Sequence, residues 1–305
     1  MYAIRMHEYG GPEVLRYEQA PMPLPGSGEV LIKVAGTSFN PADAIIRAGV
    51  LHHSHPVRMP HILGTDVAGT IVELGPDVAG HAIGDRVIAA LPRPADGATG
   101  EFTLAPAAAV VPAPTSIPLA DAAALPIAGL TAWQGINDHL RVRPGQRILV
   151  NGAGGGVGRL AVQFAKLAGA TVVAVAGPGS ITAAQSAGAD QLLNYAVDRL
   201  SEPVDAVFNT APIDGSALNR LVALVQPGGR LVSITSSAST DRHQAVRAMV
   251  MTFRRDTAQL DEIARRVDAH GISAGVTERL PITEIVEVHR RHAAGRLSGK
   301  VVLSH

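Results

Sequence analysis

The spacing of hydrophobic residues changes character partway along this chain. Up to Ala89 they come in short runs, Glu29-Val30-Leu31-Ile32-Lys33-Val34, Gly69-Thr70-Ile71-Val72-Glu73-Leu74 and Asp85-Arg86-Val87-Ile88-Ala89, separated by Gly and Pro. Short strands punctuated by turn residues are the grammar of an all-β barrel. From Ala120 onward, alanine-rich helical stretches alternate with apolar strands at 147–150, 171–175, Ala206-Val207-Phe208 and Arg230 to Ile234. That alternation predicts a doubly wound parallel sheet. Between Arg159 and Gly169 the spacing of Leu160, Phe164 and Leu167 puts them on one face of a helix. Pro281 to Ala294 also reads as helix, with Thr283 as a cap ahead of Glu284, Ile285, Val286 and Val288. The chain then closes on a strand, Lys300-Val301-Val302-Leu303, which has no evident partner in the parallel sheet and is expected to return to the first domain.

At 305 residues the chain exceeds the length at which a single core usually keeps growing. Two domains are therefore expected: residues 1–117 with 256–305, and residues 118–255 between them. Lys+Arg and Asp+Glu balance at 26 each, which argues against a nucleic-acid partner and leaves small molecules. There is no apolar run of membrane-spanning length, and Met1-Tyr2-Ala3-Ile4-Arg5 does not open an apolar leader, so a cytoplasmic protein is expected. With no cysteine, disulfides, thiolate catalysis and thiolate zinc ligands are all excluded.

The strand at 147–150 leads into Asn151-Gly152-Ala153-Gly154-Gly155-Gly156-Val157-Gly158 and then a helix. Backbone N–H groups at a helix N-terminus attract anions, provided no Cβ keeps the phosphates away. As a fingerprint the turn reads Ala153-x-Gly155-x-x-Gly158, with alanine in the first place where glycine is usual. The following strand, Thr171 to Val175, completes a βαβ unit, and the turn is read as a dinucleotide site.

Several strings now combine: Glu8-Tyr9-Gly10-Gly11-Pro12-Glu13-Val14-Leu15, Gly26-x-Gly28-Glu29-Val30, Asn40-Pro41-Ala42-Asp43, Gly84-Asp85-Arg86-Val87, Gly129-Leu130-Thr131-Ala132, Gly154 to Gly158, and Gly299-Lys300-Val301-Val302-Leu303. In this order the chain resembles the zinc-independent quinone oxidoreductases of the medium-chain dehydrogenase/reductase superfamily. The resemblance implies a GroES-like barrel built from both chain ends, a Rossmann domain, a cleft between them, and NADPH-dependent reduction of quinones or activated alkenes. Zinc-dependent relatives would carry a Cys near Thr37-Ser38 and a Gly-His-Glu at Gly64-Thr65-Asp66, and this chain has neither. Without a Lewis acid the favoured acceptor is one already electron-poor, a quinone or an enone.

By resemblance, Asn40 would sit beside the nicotinamide or the acceptor, Thr131 would touch the nicotinamide end, and Lys300 would face the cleft. Read from the residues alone, Asn40 is a turn former before proline, Thr131 a polar helix residue and Lys300 a solvated strand start. Where better-known quinone reductases carry tyrosines, this chain has Ile45 and Leu51. The same loop offers His52, His53, His55 and His61 as proton donors, of which His53 is taken as the catalytic candidate; water could serve too. No metal site is expected of these histidines.

No acidic residue lies between Thr171 and Ala189, where an NAD enzyme usually offers one to the ribose 2′-OH. NADPH is therefore expected, with Gly177, Gly179 and Ser180 as donors to its 2′-phosphate, although no Lys or Arg lies between Lys166 and Arg199. Tyr195 matches a family tyrosine near the adenine and 2′-phosphate. Ligands of doubly wound sheets bind beyond the carboxyl ends of strands, which adds Thr210 and Thr235 as ribose-lining candidates. An enoyl-thioester reductase of the same fold, with Arg247, Arg254 and Arg255 as a basic rim, and a nucleotide-binding sensor or structural protein without turnover stand as alternatives. Related enzymes commonly pair the edge strands of two Rossmann domains, so a homodimer is expected.

Overall fold

In the computed structural model, which describes all residues except 54–55, 199, 201 and 239–244, the chain opens with a hairpin of β1 (Tyr2–Met6) and β2 (Leu15–Gln19). There follow β3 (Glu29–Ser38), α1 (Pro41–Arg47), β4 (His61–Ile62), β5 (Asp66–Leu74), β6 (Arg86–Ala90), β7 (Phe102–Pro106) and β8 (Val111–Pro112). The alternating part comprises α2 (Pro126–Trp133), β9 (Arg147–Asn151), α3 (Gly156–Leu167), β10 (Thr171–Ala176), α4 (Ile181–Ser186), β11 (Gln191–Asn194), β12 (Val204–Asn209), α5 (Gly215–Val222), β13 (Val225–Ser233) and β14 (Arg247–Val250). After them come α6 (Thr257–Asp268), β15 (Val276–Pro281), α7 (Ile285–Ala293) and β16 (Lys300–Ser304). No helix among the described residues is long and apolar enough to cross a membrane.

Two compact units result, one of Met1–Ile127, Arg255–Ala269 and Val276–His305, the other of Ala128–Arg254 and His270–Gly275. The first break lies later than the expected 117/118 because Leu119–Ala124 is a largely buried 3-10 turn held against β3. A Cβ on Gly36 would meet the Ala120 backbone at 2.8 Å, so glycine is what lets that turn approach the strand.

The first unit is the GroES-like barrel built from both chain ends. Its main sheet runs β15-β16-β3-β5-β6-β8, with β7 also on β3. The final strand does return: β16 lies antiparallel to β3, Val302 opposite Ser38 and Leu303 opposite Thr37. Alternate residues Val30, Ile32 and Val34 join Val67, Ile71 and Val87 in one core. Phe39, Leu63, Ile285, Val288, Val301 and Leu303 form another, so the C-terminal segment closes a core that the N-terminal segment begins. The helix expected from Pro281 is a 3-10 turn, Ile282–Glu284, followed by α7, and Glu284 rather than Thr283 stands at the N-cap. The pairing of Pro281 with Ser304 keeps that residue extended, which delays the start of the helix.

The second unit is a Rossmann domain. All six strands are parallel, in the order β11-β10-β9-β12-β13-β14, which is the order of a doubly wound dinucleotide-binding sheet. Ile148, Leu149 and Val150 of central β9 are at most 1% exposed, which is why they read as a continuous apolar run rather than an alternating one. On α3 the buried arc runs from Leu160 and Phe164 through Ala161 and Ala165 to Val162. Leu167 falls at the rim of this arc and is 47% exposed, so it does not join Leu160 and Phe164 in the core.

Because Leu303 is 1% exposed in the core that joins the two chain ends, Leu303→Ala should cost about 2–5 kcal/mol. Urea unfolding should show a lower midpoint with an unchanged slope.

Candidate active site

Strand β5 begins with a carboxylate, Asp66, that is completely buried. A buried ion is costly unless it is paired and hydrogen-bonded on every side. Asp66 Oδ2 accepts from Ser38 Oγ at 2.5 Å and Asn40 Nδ2 at 2.8 Å, and lies 3.2 Å from Lys300 Nζ. Its Oδ1 accepts the Ile127 N–H at 2.8 Å. Lys300 is itself 4% exposed, so it is buried and not a solvated strand start. Its ammonium donates to Asn40 Oδ1 at 2.7 Å and the Phe39 carbonyl at 3.2 Å as well as to Asp66, which uses its three donors. Asn40 also donates to the Ser38 carbonyl at 3.4 Å. The Asn40 amide thus joins a charged network, and the residue also stands at the N-cap of α1.

The capping of α1 is done by another acid. Asp43 accepts the Asn40 backbone N–H at 2.9 Å and Thr65 Oγ1 at 3.4 Å. Burial pushes the Asp43 carboxyl up to about 6, against the lowering effect of the Asn40 N–H, Arg93 and Lys300; the Asp66 charge adds to the rise. Between about 4 and 6 the folded chain holds a proton that the unfolded chain has released, so this group's contribution to stability falls as pH rises through that window. Asp43→Asn should remove that loss, on the order of 2–3 kcal/mol. Urea unfolding of both proteins at pH 4 and pH 7 checks it: the wild type should lose more stability than the variant over that interval.

Of the loop histidines, His61 is buried and sits 3.1 Å from Asp96, whose carboxylate also takes the Ile62 N–H at 2.9 Å. Its environment is structural. His52 bonds the Gly49 carbonyl at 2.6 Å and packs against the exposed ring of His53, centroids 3.6 Å apart. His55 lies outside the described residues. Among the described residues no three His, Asp or Glu side chains gather as metal ligands.

In the second unit the glycine turn leaves β9 with Gly152 at φ +81°. Thr210 Oγ1 reaches over it, donating to the carbonyls of Asn151 at 2.9 Å and Gly152 at 3.2 Å. Ala153, fully buried, points its methyl into the fold, which explains why alanine serves in the first place of the fingerprint. A Cβ on Gly158 would meet the Gly152 carbonyl oxygen at 2.1 Å, so the third glycine is fixed by packing. A Cβ on Gly155, the N-cap of α3, would find only that oxygen, at 3.4 Å. The space over Gly155, beside the partnerless N–H groups of the first turn at Gly156 and Val157, fits a pyrophosphate.

Ser180 packs on Gly154, where a Cβ would sit 2.4 Å from its side chain. Tyr195, 65% exposed, lies over Gly177, whose Cβ would be 2.9 Å from the ring. Ser180 thus joins the turn, and its N–H donates to the Gly177 carbonyl at 3.0 Å, which links it to the glycine under Tyr195. No acid lies between Thr171 and Ala189, although Asp198 accepts the N–H of Asn194 at 2.7 Å, and Asn194 lies opposite Ala176 at the end of β10. Asp190, at the amino end of β10, is bound to Lys166 at 2.7 Å and caps the Val172 N–H, and the lysine holds its carboxyl below the usual range. The strand ends carry a polar ladder: Asn151 donates to Asn209 at 2.7 Å, and Asn209 donates to Ser233 and Thr235 at 3.0 Å each. Thr131 is buried within α2.

Sequence reasoning missed Asp66, Asp43, Ser38 and Thr65 as members of the site. A signal existed for one of them, since Asp66 directly precedes the apolar run Val67-Ala68 and so enters a strand that must be buried.

Comparison with known proteins gives a consistent result. Residues 26–115 match the family described as alcohol dehydrogenase GroES-like domain, and residues 187–303 match zinc-binding dehydrogenase. The chain is 32% identical to the chloroplast envelope quinone oxidoreductase homolog of Arabidopsis thaliana, covering 99% of this chain and 98% of that protein. Among solved structures it is similar to an NAD-dependent alcohol dehydrogenase, with TM-score 0.91, 31% identity and full coverage of both chains. It is also similar to a mycobacterial protein, Rv1454c, solved in complex with NADPH, with TM-score 0.88, 28% identity and full coverage of both chains.

Proposed function

We propose that this chain, which belongs to the quinone oxidoreductase family of the medium-chain dehydrogenase/reductase superfamily, reduces a quinone or an α,β-unsaturated carbonyl compound with hydride from NADPH and without zinc. The observation that carries this reading is the buried network in which Lys300 donates to Asp66 and Asn40 and Ser38 donates to Asp66, with Ser38 and Asp66 at the positions where zinc-dependent relatives would offer a Cys and a Gly-His-Glu. Bound NADPH supplies the hydride. The N–H groups at the start of α3 hold its pyrophosphate over Gly155 and Gly156, Thr210 and Thr235 line the ribose, and Thr131 meets the nicotinamide end. Gly177, Ser180 and Tyr195 receive the adenine and 2′-phosphate, and the stretch from Thr171 to Ala189 brings no acid of its own.

Hydride addition leaves negative charge on the acceptor oxygen. Lys300 opposes that charge through its own, since its N–H groups are already committed, and Asn40 fixes where the ammonium sits. The proton comes from His53 on the exposed loop. For the thioester alternative the basic rim is thinned: Arg254 is paired with Asp138 at 2.9 Å, and Arg255 donates to the carbonyls of Ala90 and Leu91 at 3.2 Å. A homodimer through the open edge of β14 completes the proposal, and sedimentation as a monomer at micromolar concentration would remove that part.

NADPH oxidation followed at 340 nm against quinones, enones and enoyl thioesters, with NADH and a chelator alongside, tests the reading. Chelator-insensitive turnover preferring NADPH is expected, and binding without turnover across the panel would overturn it. Gly155→Val, at a position with room for a side chain in the free protein, should raise KM for NADPH about tenfold or more while leaving the melting temperature near wild type. Ser180→Asp, which brings a carboxylate to the 2′-phosphate end, should lower kcat/KM for NADPH by about tenfold and that for NADH much less.

A further inference from the structure

The parallel sheet has a charged corner away from its glycine turn. Arg230 aligns through Ala206 with Ile148, near the amino end of β9, whereas the turn leaves β9 beyond Asn151. Strand register sets Arg230 directly opposite Arg247 and Val232 opposite Met249, and period-two alternation sends these four side chains to one face. The π-helix Gln134–Leu140 borders the same region, and Arg141 follows it in the left-handed conformation, φ 55°. Arg141, Arg230, Arg247 and His139, over Val232 and Met249, line a cavity of about 300 Å³.

Like charges opposed across neighbouring strands are destabilising, and among the described residues Asp138 is the one acid that lines the cavity beside them. Arg230 donates one N–H to the His139 carbonyl at 2.8 Å and Arg141 one to the Asp138 carbonyl at 3.3 Å, which caps the end of the π-helix. Such capping uses a single N–H of each guanidinium, and Arg247 makes no such bond among the described residues. Asp138 is the one carboxylate in the lining, and Arg254 engages it at 2.9 Å.

We propose that this cavity binds a phosphate-bearing small molecule, its dianionic phosphate held by Arg141, Arg230 and Arg247 and its apolar portion resting on Val232 and Met249. Planar guanidinium forks match phosphate oxygens in pairs, so three of them specify that group rather than a simple monovalent anion. The site is separate from the dinucleotide turn and does not depend on the reaction proposed above.

Calorimetric titration of the full chain with inorganic phosphate and with phenyl phosphate, at fixed ionic strength, tests this. Phenyl phosphate should bind several-fold more tightly than inorganic phosphate. Arg247→Ala, an exposed edge residue whose loss should leave the melting temperature unchanged, should weaken phenyl phosphate about tenfold or more, and Arg141→Gln should weaken it as well. Gly155→Val should have no effect on this binding. Absence of binding by both probes, equal displacement by chloride, or weakening by Gly155→Val but not by Arg247→Ala would overturn the site. So would an altered sedimentation coefficient in Arg247→Ala with unchanged phosphate affinity, which would instead mark a contact between copies.

Discussion

The carboxylate of Asp66 is the constraint around which the first unit is arranged. With no solvent to hold it, this charge demands donors, and they come from three separate stretches of chain: Ser38 and Asn40 where β3 passes into α1, Ile127 at the start of α2, and Lys300, the first residue of β16. Removing one partner from such a buried set leaves an ion uncompensated, which typically costs about 3–5 kcal/mol. Hydrophobic contacts around it set only approximate distances. The network therefore fixes the geometry of the site more tightly than the cores on either side could.

Features of the sequence that depend on near neighbours were mostly legible, and of those that depend on distant ones the return of the final strand was legible but its buried charge network was not. The glycine turn could be read because its strand, turn and helix are contiguous, and the apolar run of β9 because both faces of a parallel strand are covered. By contrast β3 was read as ending at Val34, since Thr37 and Ser38 are polar; both are buried, and their hydroxyls are satisfied by Asp66. Lys300 looked like an ordinary solvated strand start, because the acid that draws it inward lies 234 residues earlier. The exposure of Leu167 has a different origin: its helical angle was right, but the covered arc lies to one side of it. Thr283 failed as a cap because strand pairing at Pro281 overrode the local signal.

The two ends of the parallel sheet are chemically opposite. Its carboxyl end carries small neutral hydrogen-bonding groups, Asn151, Asn209, Ser233 and Thr235, linked so that each amide has one orientation. Uncharged donors and N–H groups there suit an anionic ligand that must be bound and released. The corner near β13 and β14 carries arginines with fixed charge. Charge is thus placed at a distance from the turn where the dinucleotide fits, and what faces that turn is dipolar.

The distance in sequence between Asp66 and Lys300 also has a meaning in time. Translation proceeds at about 5–20 residues per second, so the acid waits on the order of ten seconds or more for its counter-charge to be made. During that interval the stretch from Ala128 to Arg254 has already been synthesised, and it holds nearly all of the parallel unit. The barrel that begins the chain is thereby obliged to finish last, with the Asp66 carboxylate kept accessible to water until the final strand arrives.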